Sequence, residues 1–217
     1  MRRPVRRAAW RACVAVAAVL AVACAASIAT GCASSGTLPA IAAASPTAST
    51  IKIRVLPVRE WGFKMAYPDG WVGMHYTNPK PGEADDTLQF LIAYADPHGV
   101  QGNGSYLDSV QVAVYRLSTS RQPSDLTQQM AVQIAQRVML KDMSSFSLRA
   151  LKKVDVGGVP GWSVGYQYSV GGQIVDANSM LILKGHRAYW MTSQSGAYDW
   201  QKVATTLDTC QRYFELL

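Results

Sequence analysis

Two stretches of this 217-residue chain carry residue types at spacings that could do chemistry. The first is "GWSVG", Gly161–Gly165, which fits the G-x-S-x-G pattern found around hydrolase nucleophiles. Such a Ser163 would need a sharp strand-to-helix turn, a helix N-terminus facing the oxyanion, and an imidazole and a carboxylate aligned behind it. Asp176 and His186 follow in the right order, but in the next hairpins rather than after long crossover segments. The apolar alternation also runs on through Tyr166 and Tyr168, and no helix pattern follows. The stretch therefore reads as a strand with Ser163 turned away from Trp162, and an esterase using Ser163 is the lesser alternative.

The second stretch is "IATGCASSG", Ile28–Gly36. It follows a leader with five arginines (Arg2, Arg3, Arg6, Arg7, Arg11), no acid, and an apolar run from Ala12 to Ala26. As a helix this run would reach only about 22 Å, short of the roughly 30 Å hydrocarbon core, which favours a cleaved export signal over a retained span. Ala29-Thr30-Gly31-Cys32 resembles the lipobox of bacterial lipoprotein signals, whose small residues give the modifying enzymes access to the thiol; Ala29 stands where Leu is usual. Cys32 is thus the expected lipidation site, with Cys24 as a competing frame and an ordinary secretory signal as the plain alternative. Although Arg6-Arg7 forms an arginine pair, its context favours the general secretory route.

Removing the leader changes the charge argument. The whole chain has 21 basic and 14 acidic residues, a net charge of +7, but the part from Cys32 onward has 16 against 14, a net +2. A nucleic-acid partner, which the basic whole-chain balance would suggest, is then not expected. Cys13 and Cys24 leave with the signal and Cys32 is capped, so Cys210 stands alone and no intrachain disulfide is expected.

The remaining candidates are weaker. His75, His98 and His186 lie too far apart for a zinc motif. Asp96 with His98, and the trio Glu83, Asp85 and Asp86, offer too few oxygens for calcium, so neither metal nor cofactor is expected. Cys210 shares an apolar helical stripe with Trp200, Val203 and Leu207, which makes it a buried thiol. Trp61, Trp71, Trp162, Trp190 and Trp200, with many tyrosines, could line an apolar pocket, but a solid core is the preferred reading. The glycine-rich segment Pro97, His98, Gly99, Gly102, Asn103, Gly104 lacks the lysine and helix start of a phosphate loop and is the candidate recognition loop.

These residues must be positioned by a sheet. Residues 32–57, small and prolyl after Cys32, read as a flexible tether, although Ile51, Ile53 and Val55 alternate as a possible edge strand. From 58 to 217 one domain is expected. Trp61, Phe63, Met65 and Tyr67 share one side of a strand, Pro68-Asp69-Gly70 turns the chain, and Trp71–Tyr76, "TLQFLIAYA" and "SVQVAVYRLS" follow as strands. A helix should start at Pro123-Ser124-Asp125, with Ser124 as N-cap, and run to Asp142. Three further strands follow, with turns at Gly157-Gly158, Gly171-Gly172 and Lys184-Gly185-His186, and a closing helix opens near Ser195–Tyr198. The order implies an α+β class, a largely antiparallel sheet with helices packed on it.

"FKMAYPDGW", the helix after "QPSDL", "VDVGGVPGWSVGYQY", "HRAYWMTSQSG" and the closing helix ending in "RYFEL" together resemble the PsbP-like superfamily over residues 60–217. The lipobox and tether add a resemblance to its LpqN-type bacterial lipoproteins. What the resemblance implies is an α/β/α sandwich that serves as a binding or assembly module, with no particular site residue carried over. The function expected is a lipid-anchored envelope lipoprotein on the extracytoplasmic face of a bacterial cell membrane. Its domain would be non-catalytic, binding an envelope protein or, alternatively, carrying a lipid or small apolar ligand.

Overall fold

The computed structural model describes residues 51–78, 87–99, 101–102, 105–134 and 145–217. Cys24, Cys32, Glu83, Asp85, Asp86, Asn103, Gly104 and the helix expected beyond Ile134 lie outside the described residues. Among the described residues, no helix is long and apolar enough to cross a membrane.

Among the described residues, every strand pairing is antiparallel. A small sheet sets β2 (Phe63–Pro68) between β1 (Ile53–Val58) and the C-terminal β11 (Glu215–Leu216). The large sheet has the order β3-β4-β7-β10-β9-β8, from β3 (Val72–Thr77), β4 (Leu88–Ala95), β7 (Ser109–Arg121), β8 (Ser147–Val156), β9 (Val159–Val170) and β10 (Gln173–Gly196). Two-residue pieces β5 (Gln101–Gly102) and β6 (Ser105–Tyr106) make a separate ladder.

The run Gln173–Gly196 is a hairpin. Ser179 Oγ and Thr192 Oγ1 lie 2.7 Å apart, and the Ala197 N–H donates to the Ile174 carbonyl at 2.8 Å. A straight strand would separate Ser179 from Thr192 by about 43 Å, at roughly 3.3 Å per residue. The chain doubles back near Gly185, whose φ is +62°, as the Lys184-Gly185-His186 signal predicts. The first arm pairs with β9 and the second with β7. Gly157-Gly158 and Gly171-Gly172 close the neighbouring hairpins, both residues of each pair at positive φ, as two-residue turns require.

On one face of the large sheet lie the small sheet and α2 (Trp200–Arg212), with Phe63, Met65, Leu207 and Cys210 packed on Ile92, Val112 and Met191. The other face receives Leu126 and α1 (Gln128–Ile134), whose Ala131 is fully buried against a cluster holding Tyr166, Tyr168, Leu181 and Trp190. The α+β class and the sheet with helices on it are as expected.

Several boundaries differ from the sequence reading. Residues Ile53–Val58, of which 53–57 were expected in the tether, form β1 and pair with β2, so the paired structure includes residues before 58. Trp61 closes a short 3-10 turn, Arg59–Trp61, before the strand starts. Pro123–Asp125 is likewise a 3-10 turn: Asp125 Oδ2 accepts the Gln122 N–H at 2.8 Å, and Ser124 caps nothing described. Helix α1 starts after Thr127, whose Oγ1 accepts the Met130 N–H at 3.2 Å, the bond of an N-cap. A fourth strand precedes the three that were expected. "SLRALKKVDV" is β8, an edge strand whose side chains are mostly exposed, so no apolar alternation marks it.

Candidate functional site

The GWSVG stretch lies within β9, where Ser163 pairs with Lys152 of β8 on one side and Met180 of β10 on the other. Directly paired residues share a face, as do alternate residues of one strand. Gly161, Ser163 and Gly165 therefore form a row of small residues on the α2 side, while Trp162 and Val164 point to the α1 side, where the Trp162 Nε1–H donates to the Leu126 carbonyl at 2.8 Å. The first glycine is a packing requirement, since a Cβ at Gly161 would sit 2.8 Å from the Leu181 carbonyl oxygen.

Above this row a cleft of about 400 Å³ opens between the β8–β9 hairpin and α2. Its floor is polar and buried. Ser163 Oγ donates to Asn178 Oδ1 at 2.8 Å, Asn178 Nδ2 donates to Gln211 Oε1 at 3.1 Å, and Gln211 Nε2 returns to the Asn178 carbonyl at 2.7 Å. Ser163 and Gln211 are only 4% and 8% exposed. The charged groups Lys152, Asp155, Asp208 and Arg212 stand around it on exposed positions. Val154, Val156, Met180 and Phe214 supply an apolar side.

The hydrolase constellation does not assemble. Asp176 lies four residues from Met180 along the first arm of β10, roughly 13 Å from the strand position beside Ser163. It is held by Arg149 at 3.1 Å and by Gln167 Nε2, also at 3.1 Å. His186 lies in the opposite direction, at the hairpin tip, with its Nδ1 3.2 Å from the Leu117 carbonyl oxygen. Ser163 has an amide for a partner, and no helix follows it.

None of the described recognition-loop residues, Pro97, His98, Gly99 and Gly102, lines this cleft; Gly99 lies against Asp108, and Gly102 against Leu107 and Val170 at the end of β9. The His98 N–H donates to Asp96 Oδ1 at 2.8 Å and the Gly99 N–H to the Asp96 carbonyl at 3.2 Å. A Cβ on Gly99 would lie 2.6 Å from Asp108 Oδ2, so this glycine serves close packing on a buried carboxylate. Gly102 pairs with Ser105 in the β5–β6 ladder. His75, His98 and His186 are all exposed, and no cluster of three metal-binding side chains occurs among the described residues.

The aromatic side chains pack mainly on one another. Trp61 stacks on Phe90 with centroids 5.0 Å apart, and the Arg187 guanidinium lies 5.1 Å from the Trp61 ring. Tyr166, Tyr168 and Trp190 are at most 3% exposed, and the Tyr166 and Tyr168 hydroxyls are raised in pKa chiefly by burial.

Cys210 is fully buried on the inner face of α2, and burial pushes its thiol up to about 12 from 9.0. At pH 8 its thiolate should be about a thousandfold scarcer in the folded protein than in the unfolded chain. A thiol reagent should therefore modify it only after denaturation, with Cys210→Ser giving the background; rapid labelling of the native protein would contradict this burial. The raised pKa also has a sign. Its stabilising contribution is complete below pH 9 and is lost as pH rises towards 12, reinforced by Tyr115, which burial pushes to about 12 from 10.0. The denaturation midpoint should accordingly fall between pH 9 and pH 11.

Sequence reasoning missed Asn178 and Gln211. Gln211 lies four residues beyond Leu207, on the inward side of α2, and a glutamine at such a position signals a buried amide needing a partner.

The sequence matches no protein-family model and no curated protein. Among solved structures it is similar to the cyanobacterial PsbP protein CyanoP from Synechocystis. The two share 15% identity and a TM-score of 0.53, with 80% of this chain and 97% of that one covered. LpqN of Mycobacterium tuberculosis, described as involved in cell envelope biogenesis, matches at 15% identity and a TM-score of 0.43 over 77% of this chain and 91% of LpqN. The fold of the described domain is PsbP-like.

Proposed function

We propose that this protein is a lipid-anchored bacterial envelope lipoprotein whose PsbP-like domain binds a partner or ligand without turning it over. The observation that carries the non-catalytic reading is the Ser163–Asn178–Gln211 network. The serine that fits a nucleophile motif has its proton committed to an amide oxygen, and the histidine and aspartate a triad would use lie in opposite directions along β10. The PsbP-like fold is compatible with binding because a fold by itself carries no particular reaction and its function lies in the site it presents. The lipobox-like Ala29-Thr30-Gly31-Cys32 supports the anchor, and the small-residue tether would hold the domain clear of the bilayer.

Two measurements test this reading. A fluorophosphonate probe should leave the purified protein unlabelled, whereas labelling of the wild type that disappears in Ser163→Ala would establish the esterase. In cells the protein should sediment with membranes and resist extraction by salt or carbonate, yielding to detergent; a freely soluble protein would contradict the anchor.

A further inference from the structure

We propose that the cleft between the β8–β9 hairpin and α2 is a binding site for an uncharged polyhydroxyl ligand, a sugar unit of envelope glycan size. The proposal rests on the non-catalytic reading of Ser163 and names the ligand class that reading leaves open. The volume of about 400 Å³ lies within the range of small-molecule sites.

The chemistry of the floor selects the ligand. After their mutual bonds, Asn178 and Gln211 each keep one amide N–H and one oxygen lone pair, and Ser163 Oγ keeps its acceptor capacity. The Asn178 backbone carbonyl can only accept, which fixes Gln211 Nε2 toward it and, through the Oε1–Nδ2 contact, fixes the orientation of Asn178 as well. A sugar hydroxyl both donates and accepts, so it can use both kinds of group. Phosphate or carboxylate would use the donors but face uncompensated lone pairs, and an ammonium group would meet the reverse mismatch.

The rim agrees with the floor. Lys152 and Arg212 balance Asp155 and Asp208, so the cleft carries no net charge to attract an ion. Asp208 and Arg212 are spaced i, i+4 on α2, with planar groups that can take vicinal hydroxyl pairs in bidentate fashion. Val154 and Met180 offer the apolar contact that the C–H face of a sugar ring needs.

The test is NMR titration of the ¹⁵N-labelled mature protein with cellobiose, trehalose and N,N′-diacetylchitobiose, read at the Asn178 and Gln211 side-chain amides. Inorganic phosphate and glycylglycine serve as charged comparators. At least one disaccharide should give saturable shifts at both amides, and Asp208→Ala and Arg212→Ala, both at exposed positions, should each weaken binding about tenfold. Ser163→Leu should abolish the shifts by filling the floor; amide spectra of all three variants establish that they remain folded. The absence of saturable shifts with every disaccharide, or shifts from phosphate or dipeptide alone, would overturn the proposal. Hydrolysis of a bound sugar would instead overturn the non-catalytic reading and leave the ligand class standing.

Discussion

Truncating Trp190 to alanine should lower the unfolding free energy by about 3–5 kcal/mol, the usual cost of removing a large buried aromatic side chain. Trp190 is 1% exposed and sits on the α1 side of the large sheet among Leu181, Tyr166 and Tyr168. Against a typical domain stability of about 5–15 kcal/mol, this is a large share. Trp190→Phe should lose well under half as much. The indole N–H lies near the Tyr166 hydroxyl without closing a hydrogen bond, so the phenyl ring keeps most of the packing and removes an unsatisfied buried donor. Guanidinium denaturation should show a lower midpoint with an unchanged slope for both variants. The result also separates a solid core from a carrier pocket, because truncating a side chain that lines an empty ligand cavity costs little. An unmoved midpoint in Trp190→Ala would favour the lipid-carrier alternative.

The α1-side core was legible because strand periodicity records burial. Trp162, Val164, Tyr166 and Tyr168 alternate, and the structure sets them all on one face. Paired glycines at Gly157-Gly158 and Gly171-Gly172 marked two hairpins for an equally local reason, the positive φ at both turn positions. What escaped the sequence lacked such a local cause. Edge strand β8 is exposed and charged, so its residues carry no record of pairing. The cap at Thr127 competed with the stronger signal of Pro123-Ser124-Asp125, which the chain uses for a 3-10 turn. The cleft was hidden because Asn178 and Gln211 are 33 residues apart, and only tertiary packing of α2 brings them together. The G-x-S-x-G motif was visible for a reason other than its usual one: small alternate residues on β9 leave space beneath a helix.

Cys32→Ser should abolish incorporation of an alkynyl fatty acid and leave the precursor unprocessed, an all-or-none loss. The thioether to diacylglycerol can form only on a thiol, and the peptidase acts on the lipidated substrate. With one acyl chain membrane residence is marginal, whereas two or more chains, at about 0.8 kcal/mol per buried CH₂, give stable attachment. Stability of the domain should not change, because the first described strand begins at Ile53, 21 residues beyond Cys32. Cys24→Ser should keep full labelling. If Cys24→Ser loses the label and Cys32→Ser retains it, processing uses the earlier frame.

Envelope anchoring through Cys32 is the central claim, and the mass of the N-terminal peptide of the mature protein, isolated from its own membranes, tests it most directly. The account predicts a peptide beginning at Cys32 and carrying the mass of a diacylglyceryl group. A peptide beginning at any other residue with no lipid mass would contradict it.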